Sequence, residues 1–268
     1  MKLIFSIDLE EFDLPEEFSV PLTEDEQSYI GVQGADRVIK WAESNNFALT
    51  WYTTAAFALK NPDLIEKITS RNDEIALHGS RHNDNYSLMS DQKIQETLSL
   101  AKKNVESLTK KKVMGFRAPR FQKIPFAILK ELSFSYASNL HPTWVPGRYC
   151  HLTMPRRPYQ DIITCFPVSV TPLLRIPVSF MWFRMIPKGI LKTLLSITAR
   201  HDTYLHLYFH QWEFADIRHL NIPFWAKYNT GITLGEDILA CFKNKTAQTL
   251  TTHTFLHQYF GEKAHILL

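Results

Sequence analysis

Strand-like and helix-like stretches alternate along most of this chain, and that alternation restricts it to a small set of folds. KLIFSI (2–7) precedes helical periodicity over 34–45, FALTWYTT (47–54) precedes a helix from Pro62 to about Arg71, and EIALH (74–78) precedes a polar-faced helix from about Asp91 to Thr109. KVMGF (112–116), a helix from about Pro125 to Leu132, and FSYAS (134–138) continue the series. DIITCFPV (161–168), a helix from about Lys188 to Ala199, TYLHLYFH (203–210) and a helix-strand-helix region from Leu234 to Phe260 complete it. Strands separated by helices of roughly 10–15 residues pair in parallel through crossover helices. About seven such units predict a (β/α) barrel of about seven parallel strands. No internal repeat, low-complexity segment or Gly/Ser linker interrupts it, so 1–268 reads as a single domain.

Composition supports a buried core and narrows the partners. The chain is 45% hydrophobic and 13% aromatic, ample for one large core. A net charge of +3 argues against nucleic acid, and the clusters Lys110, Lys111, Lys112 and Arg156, Arg157 read as solvated charge. Three cysteines (Cys150, Cys165, Cys241) without C-x-x-C spacing suggest neither a disulfide framework nor a cysteine zinc knuckle, and fit a reducing compartment. In MKLIFSIDLEEFD acidic residues arrive by Asp8, before a signal-peptide core is complete, so a buried strand and a cytoplasmic protein are expected. The most apolar stretch, 171–197, is broken by Arg175, Pro177, Arg184, Pro187 and Lys188 and falls short of a spanning helix. It reads as a substrate-facing loop followed by a buried helix, with shallow membrane-surface docking through Trp182 and Phe183 as the alternative. The segment from His141 to Gln160, dense in Pro, Arg and Tyr, reads as a long functional loop.

In a parallel α/β barrel, chemistry collects at the carboxyl ends of the strands. The polar residues that follow the strand-like runs include Asp8, Glu10, His78, His82, Arg117 and His210 with Glu213. His78 and His82 are four apart, a spacing that on a helical turn aims both imidazoles at one point, as zinc sites do. Catalytic zinc takes about three protein ligands and keeps a position open. Asp8 and Glu10, two apart on a strand, share a face, so one can bind metal while the other takes a proton.

Four short motifs, in order, resemble those of the polysaccharide deacetylases, the NodB-homology domains of carbohydrate esterase family 4. They are FSIDLEEF (5–12), in a D-x-E form of the family's acidic motif, HGSRH (78–82), GFRAPRF (115–121) and LYFHQWEF (207–214). The resemblance implies a seven-stranded distorted barrel, a divalent metal (zinc, with cobalt or nickel as alternatives) and removal of an N-acetyl or O-acetyl group from a sugar. It implies Asp8 as general base and Glu10, His78 and His82 as metal ligands, with Asp8 as the alternative ligand. Arg117 would orient the base, and the backbone N–H of Arg120, where the family often has Tyr or Gly, would help bind the oxyanion. His210 would be the general acid, Trp212 an apolar wall and Glu213 the group that positions the imidazole.

Two features depart from the family pattern. Its D-x-x-D-W motif, whose aspartate partners the acid histidine, is absent, leaving Asp161 and Glu213 as candidates. FSYASNLHP (134–142) carries Ala137 where related deacetylases often have Asp. The expected role is deacetylation in bacterial surface-polysaccharide biosynthesis (O-antigen, capsule or exopolysaccharide), on a nucleotide-linked, lipid-linked or growing glycan. The alternatives are an amidase or imidase acting on a non-sugar C–N bond, and a non-catalytic carbohydrate-binding relative.

Overall fold

The computed structural model describes residues 1–71, 73–242 and 247–264. Its strands are β1 (Lys2–Leu9), β2 (Leu49–Thr53), β3 (Glu74–Leu77), β4 (Gly115–Phe116), β5 (Tyr136–Ala137), β6 (Trp144–Val145), β7 (Tyr149–Cys150), β8 (Tyr159–Gln160), β9 (Thr164–Cys165), β10 (Tyr204–His210) and β11 (Gln248–Thr249). The main sheet runs β10-β1-β2-β3-β4-β5-β9-β8, parallel except for the last pair, and β11 joins β1. The expected strands thus form in the expected order, and the sheet curls into an incomplete barrel. Its gap is narrowed where Ser169 N–H donates to the His206 carbonyl (2.9 Å) and His206 N–H donates to Ser169 Oγ (2.9 Å).

Period-two alternation explains why the strands are buried on both faces yet carry polar residues. Leu3, Phe5, Ile7 and Leu9 of β1 pack outward into the large core, whereas Ile4 belongs to the barrel interior. Ser6, Asp8 and Glu10 continue the inner row. In β10, Leu205, Leu207 and Phe209 face out, so Tyr204, His206, Tyr208 and His210 fall on the inner row. Tyr52, Tyr136, Phe166 and Tyr204 fill the lower interior with Phe255 and Leu256, both from the C-terminal helix. Gly115 is required there, because a Cβ would lie 2.1 Å from the Tyr136 ring.

The helices are α1 (Glu24–Ser44), α2 (Ala55–Lys60), α3 (Pro62–Thr69), α4 (Asp91–Thr109), α5 (Phe126–Glu131), α6 (Phe180–Met185), α7 (Lys188–Asp202), α8 (Phe224–Lys227), α9 (Leu234–Phe242) and α10 (Thr252–Ala264). α1 begins ten residues before the periodic stretch 34–45, because Thr23 and Glu26 close a capping box. α2 and α6 are not marked by periodicity at all. Residues 141–160 are not structureless: β6 and β7 form a hairpin and β8 pairs with β9. Part of the expected helix-strand-helix region, 243–246, lies outside the described residues. Among the described residues no helix is long and apolar enough to cross a membrane.

Candidate active site

Three elements meet at the carboxyl end of the barrel. The pairing of β1 with β10 sets Asp8 beside His210, and that of β1 with β2 sets it beside Tyr52. β3 ends at Leu77, and His78 continues its inner row after Ala76. His82 does not follow on a helical turn, as the i, i+4 argument supposed; residues 78–83 are a non-helical loop. Gly79 turns that loop with φ +87°, and a Cβ there would lie 2.5 Å from the Tyr86 hydroxyl. The loop still brings the imidazoles together, their rings stacked at 6.2 Å between centroids.

Glu10 Oε2 lies 3.1 Å from His78 Nε2 and 3.3 Å from His82 Nε2. His78 Nδ1–H donates to the Arg117 carbonyl (2.9 Å), and His82 Nδ1–H donates to Asp13 Oδ1 (2.6 Å). With those protons committed, both Nε2 atoms offer lone pairs to a carboxylate oxygen that itself has no hydrogen-bond partner although buried. Three acceptors facing one another need a cation between them. Ligands of tetrahedral zinc at about 2.0–2.1 Å lie about 3.3 Å apart, the spacing seen here. The donor set therefore fits a divalent metal, with Asp13 and the Arg117 carbonyl orienting the imidazoles. The electrostatics agree. Burial alone would raise the Glu10 pKa, but His82, His210 and His78 hold it well below the usual carboxylate range. Burial alone would lower His82, yet Glu10 and Asp13 push it up to about 9, the mark of a pocket that favours positive charge.

Asp8 sits beside this cluster in a different environment. Arg117 Nη1 donates to its Oδ1 (2.5 Å), while Oδ2 lies 4.0 Å from both His78 Nε2 and His210 Nε2. Arg117 is wholly buried. Its Nη2 donates to Ser6 Oγ (3.0 Å) and Ser138 Oγ (2.9 Å), and its guanidinium lies 4.1 Å over the Tyr52 ring. A cation with this many fixed contacts is a rigid clamp.

His210 closes β10, and Glu213 holds it twice: Oε1 accepts from the His210 backbone N–H (2.8 Å) and from Nδ1–H (3.3 Å). The other Glu213 oxygen accepts from Arg184 Nε (2.6 Å), a pair with no solvent exposure. Glu213 thus occupies the place left open beside His210, and Asp161 does not: it is exposed at the turn before β9, at the opposite end of the strands. Burial would lower the His210 pKa, but Glu10, Glu213 and Asp8 raise it. Trp212 stacks on the imidazole (5.0 Å, 24°) and Phe180 meets it edge-on (4.4 Å). Trp212 is more than an apolar wall, because its indole N–H points to Glu10 Oε1 at 3.3 Å.

A cavity of about 180 Å³ opens over these groups. Arg120, in the left-handed region (φ 55°), lines it and reaches Asp13 (3.4 Å) and Glu17 (3.5 Å). Asp13 and Arg184 escaped sequence reasoning, as did His141, a buried cavity-lining residue whose Nε2 has no partner. Asp13 lies one residue past the acidic motif, a signal that was available. Arg184 sits in an apolar run, where it signalled only a broken membrane span.

A family model described as polysaccharide deacetylase matches residues 15–133. That segment holds His78, His82, Arg117 and Arg120, while Asp8, Glu10 and His210 lie outside it. No curated protein matches the chain by sequence. Among solved structures, a Mycobacterium smegmatis protein assigned as a polysaccharide deacetylase superposes with a TM-score of 0.70 at 16% identity, covering 98% of this chain and 91% of that one. A Pseudomonas aeruginosa protein with the same assignment gives 0.68 at 16%, covering 97% and 91%. The allantoinase PuuE gives 0.63 at 15%, covering 97% and 90%. At such identities the likeness is one of fold. In its matched segment, its curled parallel sheet and the order of its motifs, the chain is similar to the NodB-like polysaccharide deacetylases.

Proposed function

We propose that this protein is a metal-dependent hydrolase that removes an N-acetyl or O-acetyl group from a sugar in bacterial surface-polysaccharide biosynthesis. One observation carries this reading: Glu10 Oε2, His78 Nε2 and His82 Nε2 converge between two buried acid–base units, Asp8 with Arg117 and His210 with Glu213 and Arg184. Glu10, His78 and His82 would hold a divalent ion, zinc first and cobalt or nickel as alternatives, which when bound would supply Lewis acidity toward a water and the acyl carbonyl.

The chain's own groups supply the rest. Arg117 occupies Asp8 Oδ1, so Oδ2 is the oxygen left to take the proton of the attacking water. The backbone N–H of Arg120 donates to the oxyanion as it forms. Glu213 keeps a proton on His210 Nδ1, and as an imidazolium His210 gives its Nε2 proton to the departing sugar nitrogen. The carbonyl carbon gains the water oxygen and loses the C–N bond, giving acetate and a free amine. Lining the cavity, Trp212 and Phe180 confine the imidazole to one orientation.

The test is acetate release by zinc-loaded protein from a panel of N-acetylated sugars, beside small cyclic amides. Acetate from the sugars, lost on removal of metal, is expected. Turnover of cyclic amides alone, or sugar binding with no acetate, contradicts the proposal. The reading extends to a cytoplasmic site of action, which cofractionation with periplasmic markers would contradict.

A further inference from the structure

We infer that the face around the cavity mouth seats on an anionic lipid bilayer, and that the sugar entering the site is carried on a lipid anchor. The second half rests on the deacetylase reading above; the first does not.

The strongest observation is a closed turn that presents two adjacent leucines to solvent. Leu173 is 91% exposed and Leu174 77%. Their turn is rigid: Val170 and Pro177 form an antiparallel bridge, Thr171 N–H donates to the Ile176 carbonyl (3.0 Å), and Ile176 N–H donates to Thr171 Oγ1 (2.9 Å). Thr143 Oγ1 donates to the Arg175 carbonyl (2.6 Å), tying the turn to the β6–β7 hairpin, of which Val145 and Tyr149 line the cavity. Trp144 on that hairpin is 58% exposed, and Phe224, beside the cavity-lining Trp225, is 71% exposed. These segments follow the carboxyl ends of β5, β9 and β10, so they belong to the face on which the site opens.

The same segments are strongly biased in charge. No Asp or Glu occurs in 132–160, 162–201 or 217–235. Arg148 and Arg218 share exposed ion pairs with Glu17 (3.2 Å) and Asp216 (2.8 Å). Arg175 and Lys227 donate to backbone carbonyls, which leave their charge uncancelled. Exposed apolar tips, aromatic rings and uncancelled cations on one face match the boundary between acyl chains and anionic headgroups. Glycan stacking would account for the tryptophans but not for Leu173 and Leu174, which have no π face. A second copy docked symmetrically would bring the same cations together. Of the two residues named by the sequence for such docking, Phe183 is buried against Phe209 and takes no part, and Trp182 lines the cavity.

The test is cosedimentation of the zinc-loaded full chain with vesicles of phosphatidylglycerol and phosphatidylcholine, against phosphatidylcholine alone. Acetate release from a soluble N-acetylated sugar is measured in parallel. Binding at least roughly ten-fold stronger to the anionic vesicles, weakened by salt, is expected. Leu173→Asp with Leu174→Asp should lower it roughly ten-fold and leave soluble-sugar turnover unchanged. The docking surface is overturned by no binding, by equal binding to neutral vesicles, by binding that survives the double substitution, or by a vesicle-free dimer that the substitution dissolves. Vesicle binding with no acetate released from either the soluble sugar or an N-acetylated glycolipid held in the vesicles sinks the deacetylase reading and leaves the docking surface standing, and release from the soluble sugar as fast as from the glycolipid overturns the lipid-anchored substrate.

Discussion

Asp8 and His210 are paired residues on adjacent parallel strands, and Asp8 Oδ2 and His210 Nε2 stand 4.0 Å apart at the carboxyl end of the barrel. Strand pairing alone therefore brings the proposed base and acid to opposite sides of one small volume, which the two imidazoles of the 78–82 loop and Glu10 complete.

Asp8→Asn removes the proton acceptor and keeps a neutral partner for Arg117. Turnover should fall by about 10²–10⁴-fold with metal content unchanged. Kinetics on the metal-loaded variant check this, and full activity would refute the role of Asp8.

Asp13 touches no proposed reacting atom, yet it fixes His82 through Nδ1 at 2.6 Å. Asp13→Ala should weaken metal affinity by about 10–100-fold, read by competition with a chelating dye. Unchanged affinity would make Asp13 a bystander.

Glu213 and Arg184 are both fully buried. Arg184→Met leaves the Glu213 carboxylate without its cation and should cost about 3–5 kcal/mol of stability, seen as a lowered urea midpoint. Glu213→Gln keeps one oxygen acceptor for His210; it should lower kcat more than it changes KM, and equal loss in both would contradict a positioning role.

Acid should destabilise the fold through His141. Burial, with smaller contributions from Arg117 and His151, pushes its pKa down to about 3. Between pH about 6.5 and 3 the unfolded chain takes up a proton that the folded chain refuses, so stability is complete above that window and is lost as pH falls through it. At pH 5 the loss from this residue is about 2 kcal/mol. Urea denaturation of parent and His141→Phe at pH 7.5 and 5 should show a shallower pH dependence in the variant, and parallel curves would contradict the assignment.

Much of this arrangement was legible in the sequence for identifiable reasons. β1 and β10 are long, and their apolar positions alternate with Ser6, Asp8, His206 and His210, so the inner row stands out. β4, β5 and β9 span two residues each, and their apolar flanks made them look longer. α2 was missed because its N-cap, Thr54, falls inside the strand-like run 47–54 and AAFALK is only six residues long. The two histidines were read correctly as convergent from an incorrect geometry: a glycine turn, not a helix, brings them together. Arg184 could not be linked to Glu213 from sequence, since a contact across 29 residues leaves no periodic trace.

The most direct test is the metal content of purified protein by elemental mass spectrometry, with His82→Ala measured alongside. About one zinc, cobalt or nickel ion per chain in the parent and near none in the variant is the expected result. No metal in either after reconstitution, or equal metal in both, would contradict a cation held by Glu10, His78 and His82.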